Sequence, residues 1–190
     1  MRTDMVMGAD QKLEAITITW TFDEFYTAFA VQDFQKQKDG SYKQADLDAL
    51  LNINLENLKE WNYFTDIKHA GKPLPLATPK PLNARYDNKL GQLTISFSLP
   101  LEQPVQPTAT APVTLQIYDP TYYIAIDYVK EAPLHLTGAP DKSCAIKATT
   151  PDVESVWTSL PESAFSNPDG TTLGRNFATN VTLTCGNGTK

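Results

Sequence analysis

Threonine and serine alternate with large apolar residues at a period of two in several separate stretches. Ile16, Ile18, Trp20 and Phe22 alternate with Thr17, Thr19 and Thr21. Leu93, Ile95, Phe97 and Leu99 alternate with Thr94, Ser96 and Ser98, and Val113, Leu115 and Ile117 with Thr114 and Gln116. Side chains on a strand point to opposite faces in turn, so these are half-buried strands of an antiparallel sheet, apolar inward and hydroxylated outward. Turn residues punctuate them: Gly8-Ala9-Asp10 after a first strand, then Ala70-Gly71-Lys72 and Asp87-Asn88 as hairpin turns. Prolines 73, 75, 79 and 81, and then 100, 104, 107 and 112, mark loops or edges crossing between sheets. Many short strands with proline-rich crossings predict an α+β chain that is mainly an antiparallel β-sandwich.

From Asp23 to Trp61 the period becomes helical. Leu47, Leu50, Leu51, Leu55, Leu58 and Trp61 lie on one face of an amphipathic helix, and Phe25, Ala28, Phe29 and Gln32 mark a shorter one before it. Residues 23–62 are therefore a helical insertion between strands of a single domain, 1–190. The linker Gln35–Asp46 has the outline of an EF-hand loop, with Gly40 at its sixth position. Its first and third positions are Gln35 and Gln37, and Lys36, Lys38 and Lys43 flank them. A hard cation needs several carboxylates there, so this is a degenerate EF-hand-like helix-loop-helix that binds no calcium. Farther on, Val153, Val156, Trp157 and Leu160 predict a short helix, 161–170 a polar loop, 177–185 the final strand, and 186–190 a frayed tail.

The two cysteines, Cys144 and Cys185, share parity with the apolar residues of their segments: Ile146 and Ala148 for the first, Val181 and Leu183 for the second. Both sulfurs then face the core, either as a disulfide closing a loop of about 40 residues, worth roughly 4 kcal/mol, or as two buried thiols acting as small hydrophobes. A disulfide points to an oxidising compartment and to export. Residues 1–4 carry no apolar signal region, so the chain is either cytosolic or what remains after a signal is removed. No apolar run is long enough for a transmembrane helix. A net charge of −6 argues against nucleic acid as a partner and against adhesion to anionic lipid.

No nucleophile elbow, phosphate loop or dinucleotide fingerprint occurs, and the chain is read as non-catalytic. The candidate metal ligands are His69, His135, Asp23, Glu24 and Asp119. His69 sits beside a hairpin turn and His135 on the outer face of a strand. Asp23 has the alternative role of capping the inserted helix, with Glu24 in its first turn. Tyr118, Asp119, Tyr122 and Tyr123 form the densest aromatic patch, a candidate ligand or docking surface. Asp119-Pro120 must bend the strand there, either turning Asp119 and a tyrosine into a cleft or leaving the tyrosines packed on the sheet. Asn180-Val181-Thr182 and Asn187-Gly188-Thr189 are glycosylation sequons, relevant only in a eukaryotic secretory context.

Four runs occur together: Trp20-Thr21-Phe22-Asp23-Glu24-Phe25, His69-Ala70-Gly71-Lys72-Pro73, Tyr118-Asp119-Pro120-Thr121-Tyr122-Tyr123, and Leu173-Gly174-Arg175-Asn176-Phe177-Ala178 followed by Val181 and Cys185. In that order they resemble an uncharacterised periplasmic family of Gram-negative bacteria, domain of unknown function 1007. The resemblance spans most of the chain. It implies export and association with nickel/cobalt-type permeases, which are often encoded beside such proteins or fused to them. Many members open with a His-Pro-His motif, whereas this chain opens Met1-Arg2-Thr3. Some relatives have an acidic EF-hand-like loop where this chain has glutamine and lysine. The expected function is a periplasmic accessory or substrate-binding-type component of a divalent transition-metal system (nickel, cobalt or zinc), binding the ion weakly or docking on an inner-membrane permease. The alternative is a structural interaction domain of a membrane partner that binds no metal.

Overall fold

The alternating segments form two five-stranded sheets in a computed structural model that describes residues 1–138, 143–161 and 173–186. Strands β1 (Arg2–Met7), β2 (Leu13–Thr21), β5 (Lys80–Asp87), β6 (Gln92–Val105) and β8 (Leu134–Gly138) build the first, in the order β5-β6-β2-β1-β8. Strands β3 (Thr65–His69), β4 (Lys72–Pro73), β7 (Val113–Ile117), β9 (Cys144–Thr149) and β10 (Asn180–Cys185) build the second, in the order β4-β3-β7-β10-β9. Pairing is antiparallel except between β1 and β8. The apolar members of the alternation lie inward from both sheets in one core: Ile16, Ile18 and Phe97 from the first, Leu115, Ile117 and Val181 from the second. Their hydroxylated neighbours pair across strands on the other face, Thr19 with Ser96 at 2.9 Å and Thr21 with Thr94 at 3.0 Å.

Between β2 and β3 lie helices α1 (Glu24–Ala30) and α2 (Gln44–Leu58) and a 3-10 turn, Lys59–Phe64. Helix α2 buries Leu47, Leu51 and Leu55, as its periodicity requires, and Gln44 Nε2 donates to the Ala84 carbonyl of β5 at 2.8 Å. The apolar face ends before Trp61, which is 47 % exposed. The chain has to reverse into β3, and Asn62, Tyr63 and Phe64 do so with φ of 50°, 54° and 56°. That left-handed run costs about 1–2 kcal/mol per residue, and it buries Tyr63 in place of Trp61. Helix α1 also departs from expectation. Thr27 and the C-cap residue Val31 face inward, while Phe25 and Phe29 face outward. A hydrogen bond from Leu93 N to Thr27 Oγ1, 3.0 Å, fixes that rotation.

The linker after α1 is hydrogen-bonded to itself. Asp39 Oδ1 accepts from Ser41 N and Oγ, and Gly40 takes φ +83°. Helix, linker and helix follow in the expected order. The second proline cluster is also a correction, since Pro100 and Pro104 lie inside β6. Its ladder to β2 shifts register between Leu13 and Ala15, a bulge that tolerates residues without a donor. Helix α3 (Val153–Ser159) forms where predicted, capped by Asp152, which accepts from Ser155 N. Phe177 is the end of helix α4 (Leu173–Phe177), not the start of the last strand. Most of the predicted 161–170 loop, the tail beyond Gly186 and the Asn187 sequon lie outside the described residues. Cys144 and Cys185 face each other in register across β9 and β10 and are bonded, S–S 2.03 Å. Among the described residues no helix is long and apolar enough to cross a membrane.

Candidate functional site

Strand β7 ends at Ile117, and Pro120, which has no N–H, prevents the ladder from continuing. Asp119 turns inward and is 5 % exposed. Its Oδ1 accepts from Thr121 N at 2.9 Å and Thr121 Oγ1 at 2.8 Å, and its Oδ2 from Ile124 N at 2.9 Å. A buried carboxylate with three donors is satisfied, and it dictates the shape of the loop 119–124. Tyr122 is held there with φ 59°, its N–H on the Asp119 carbonyl at 3.0 Å.

The run after residue 172 docks on this loop. Gly174 N donates to the Pro120 carbonyl at 3.2 Å, and a Cβ on Gly174 would stand 1.9 Å from the Asp119 carbonyl oxygen. Only glycine allows that approach. It brings Phe177 onto Tyr122 as a stacked pair, centroids 4.1 Å apart, with Trp157 of α3 4.9 Å from Phe177. Three rings thus form a ledge, and Tyr123 stands beside them 92 % exposed. Burial and then the negative charge of Asp66 push the Tyr118 hydroxyl above its ordinary range, with Arg175 opposing. The bend buries Asp119, and the tyrosines do not pack on the sheet: Tyr122 stacks on Phe177 beside Trp157, and Tyr123 is exposed. The ledge is suited to binding by ring faces and by a tyrosine hydroxyl.

The other candidates lie apart from this ledge. His69 ends β3 in the second sheet, with Nε2 donating to the Gln106 carbonyl at 3.1 Å. His135 lies on β8 in the first sheet, its Nδ1 2.9 Å from Asp4 Oδ1, its register partner on β1. Asp23 caps α1, accepting from Tyr26 N at 2.8 Å, and Glu24 follows in the first turn. Among the described residues no three histidines, cysteines, aspartates or glutamates gather as a metal shell. Sequence reasoning missed Asp4 as the partner of His135, although both sit at outward strand positions. It also missed Trp157 as a neighbour of Tyr122, a contact between segments far apart in sequence that periodicity cannot reveal.

The family model described as "Protein of unknown function (DUF1007)" matches residues 1–185. An uncharacterized protein of Haemophilus influenzae (strain ATCC 51907 / DSM 11121 / KW20 / Rd) is 27 % identical over 179 residues, 93 % of this chain and 84 % of that protein. An uncharacterized 15.5 kDa protein in the trpE 3' region of Spirochaeta aurantia is 26 % identical over 121 residues, 63 % of this chain and 84 % of its own. No solved structure matches the chain significantly.

Proposed function

The chain belongs to the DUF1007 family, and from that premise we propose that it is a periplasmic, non-catalytic accessory component of a divalent transition-metal (nickel, cobalt or zinc) transport system. It works by docking on an inner-membrane permease. Its two sheets form one sandwich-like domain with the helical segment 23–62 inserted. The observation that carries the docking step is the locked ledge. Three hydrogen bonds to the buried Asp119 and the close approach at Gly174 position Tyr122 and Phe177, Trp157 packs against both, and Tyr123 is presented to solvent. A preorganised aromatic surface loses little entropy on binding, which is what a docking surface needs. The disulfide is consistent with an oxidising compartment.

A second reading, an interaction domain that binds no metal at all, is favoured by the placement of His69 and His135 on different sheets. Docking is tested by capturing the tagged chain from detergent extracts of its own cells and identifying what comes with it. Recovery of a metal permease, lost on Tyr123→Ala and Trp157→Ala with an unchanged melting temperature, supports the proposal. Recovery of no permease, or of one indifferent to both substitutions, contradicts it.

A further inference from the structure

Helix α1 turns phenylalanines to water. Thr27 and the C-cap residue Val31 are buried beneath it, yet Phe25 is 90 % and Phe29 68 % exposed on the opposite face. A surface helix normally turns a polar face to water, and an exposed aromatic face marks an interaction surface. Beside Phe25 and Ala28 a groove of about 670 Å³ opens between α1 and the β5–β6 turn. Leu90, 58 % exposed, forms part of its wall, with the Tyr42 and Tyr86 rings and the side chains of Lys36 and Lys89 also lining it. Lys36 Nζ is 5.7 Å from the Tyr42 ring centroid and 5.6 Å from that of Tyr86, so it is fixed as well as charged.

At these exposures the two phenylalanines leave roughly 300 Å² of aromatic surface in water. With Leu90 this reaches the size of patch that is functional on a monomer. Doubled across a twofold axis, with its polar rim added, it comes to about 1,200 Å², where specific interfaces begin. Charge selects the occupant. Asp23 caps the helix and Glu24 opens it, and Glu24 lines the groove together with Lys36 and Lys89. Both signs surround one apolar centre, so the face is complementary to itself. An antiparallel copy sets the acidic end of one α1 against the lysines of the other. An anionic membrane would meet Asp23, Glu24 and Asp33 together with the lysines, on a chain whose net charge is −6. We propose that the outer face of α1, with Leu90, is the interface of a twofold homodimer of this chain. Such an interface uses the same patch on both subunits, which is the commonest closed arrangement.

Sedimentation equilibrium of the oxidised chain from low to high micromolar concentration tests this. The expected mass is twice 21.0 kDa. Phe25→Ser with Phe29→Ser should give a monomer with an unaltered circular dichroism spectrum, because both rings are exposed in the isolated subunit. Should that variant fail to fold, Lys36→Glu with Lys89→Glu should weaken the dimer at least tenfold, and adding Glu24→Lys should restore it. A wild-type monomer throughout the range overturns the proposal, as does a dimer that survives both variants. A monomer that instead pellets with phosphatidylglycerol vesicles through Phe25 and Phe29 overturns it in favour of a lipid surface.

Discussion

Gly174 and Asp119 are the two residues on which the aromatic ledge depends most directly. Gly174→Ala forces a Cβ against the Asp119 carbonyl oxygen, 1.9 Å away. Backbone must shift, and the expected loss is roughly 3 kcal/mol in urea denaturation, with quenched stacking of Tyr122 on Phe177 visible in near-UV dichroism. Asp119→Ala orphans the N–H groups of Thr121 and Ile124 and should cost about 3 kcal/mol. An unchanged midpoint for either variant would remove the account of this loop. Tyr128 gives a pH signature. Burial pushes its hydroxyl up to about 12, partly offset by its contact with Thr3 Oγ1. The neutral form is favoured in the folded state, so the stabilisation is complete below the unfolded value and is lost as pH rises from about 10 to about 12. A decline on the order of 2–3 kcal/mol over that window is expected. It should shrink in Tyr128→Phe, and an identical alkaline slope in that variant would refute the assignment.

At the scale of elements, strands were the most legible feature, because period two sets which residues are buried and the chain obeys it in β2, β6, β7 and β10. Cysteine parity likewise put both sulfurs on apolar strand faces, and the register of β9 and β10 then sets Cys144 opposite Cys185. Helix α2 was legible for the same reason. The rotation of α1 was not, since its phenylalanines read as the inward face, whereas Thr27 is the residue buried and hydrogen-bonded to Leu93 N. The left-handed Asn62–Phe64 run carries no glycine to announce it. The ledge was half legible: the Asp119-Pro120 break can be read locally, whereas the arrival of Phe177 and Trp157 depends on tertiary contacts. The Gln35–Asp46 linker yields a prediction at this scale. Asp39, its best-placed carboxylate, is already bonded to Ser41, which holds its titration below the ordinary carboxylate range. Calcium at about 1 mM should therefore leave the melting temperature unchanged, because only a ligand bound to the native state raises it. A calcium-dependent rise abolished by Asp39→Ala would contradict this.

For the whole molecule, two sheets share one core, and the disulfide joins β9, an edge strand, to β10. Cys144→Ser with Cys185→Ser should lower stability by roughly 4 kcal/mol while the sheets persist, measured by urea denaturation with and without reductant. The candidate imidazoles are split between the sheets, and carboxylates alone select poorly among nickel, cobalt and zinc. A tight shell then requires more donors than this arrangement gathers among its described residues. The central claim, an accessory protein that docks and is not a self-sufficient chelator, is tested most directly by calorimetric titration of nickel, cobalt and zinc into the oxidised chain. The account predicts affinity no tighter than tens of micromolar, little changed by His69→Ala or His135→Ala. Submicromolar affinity lost on either substitution would contradict it.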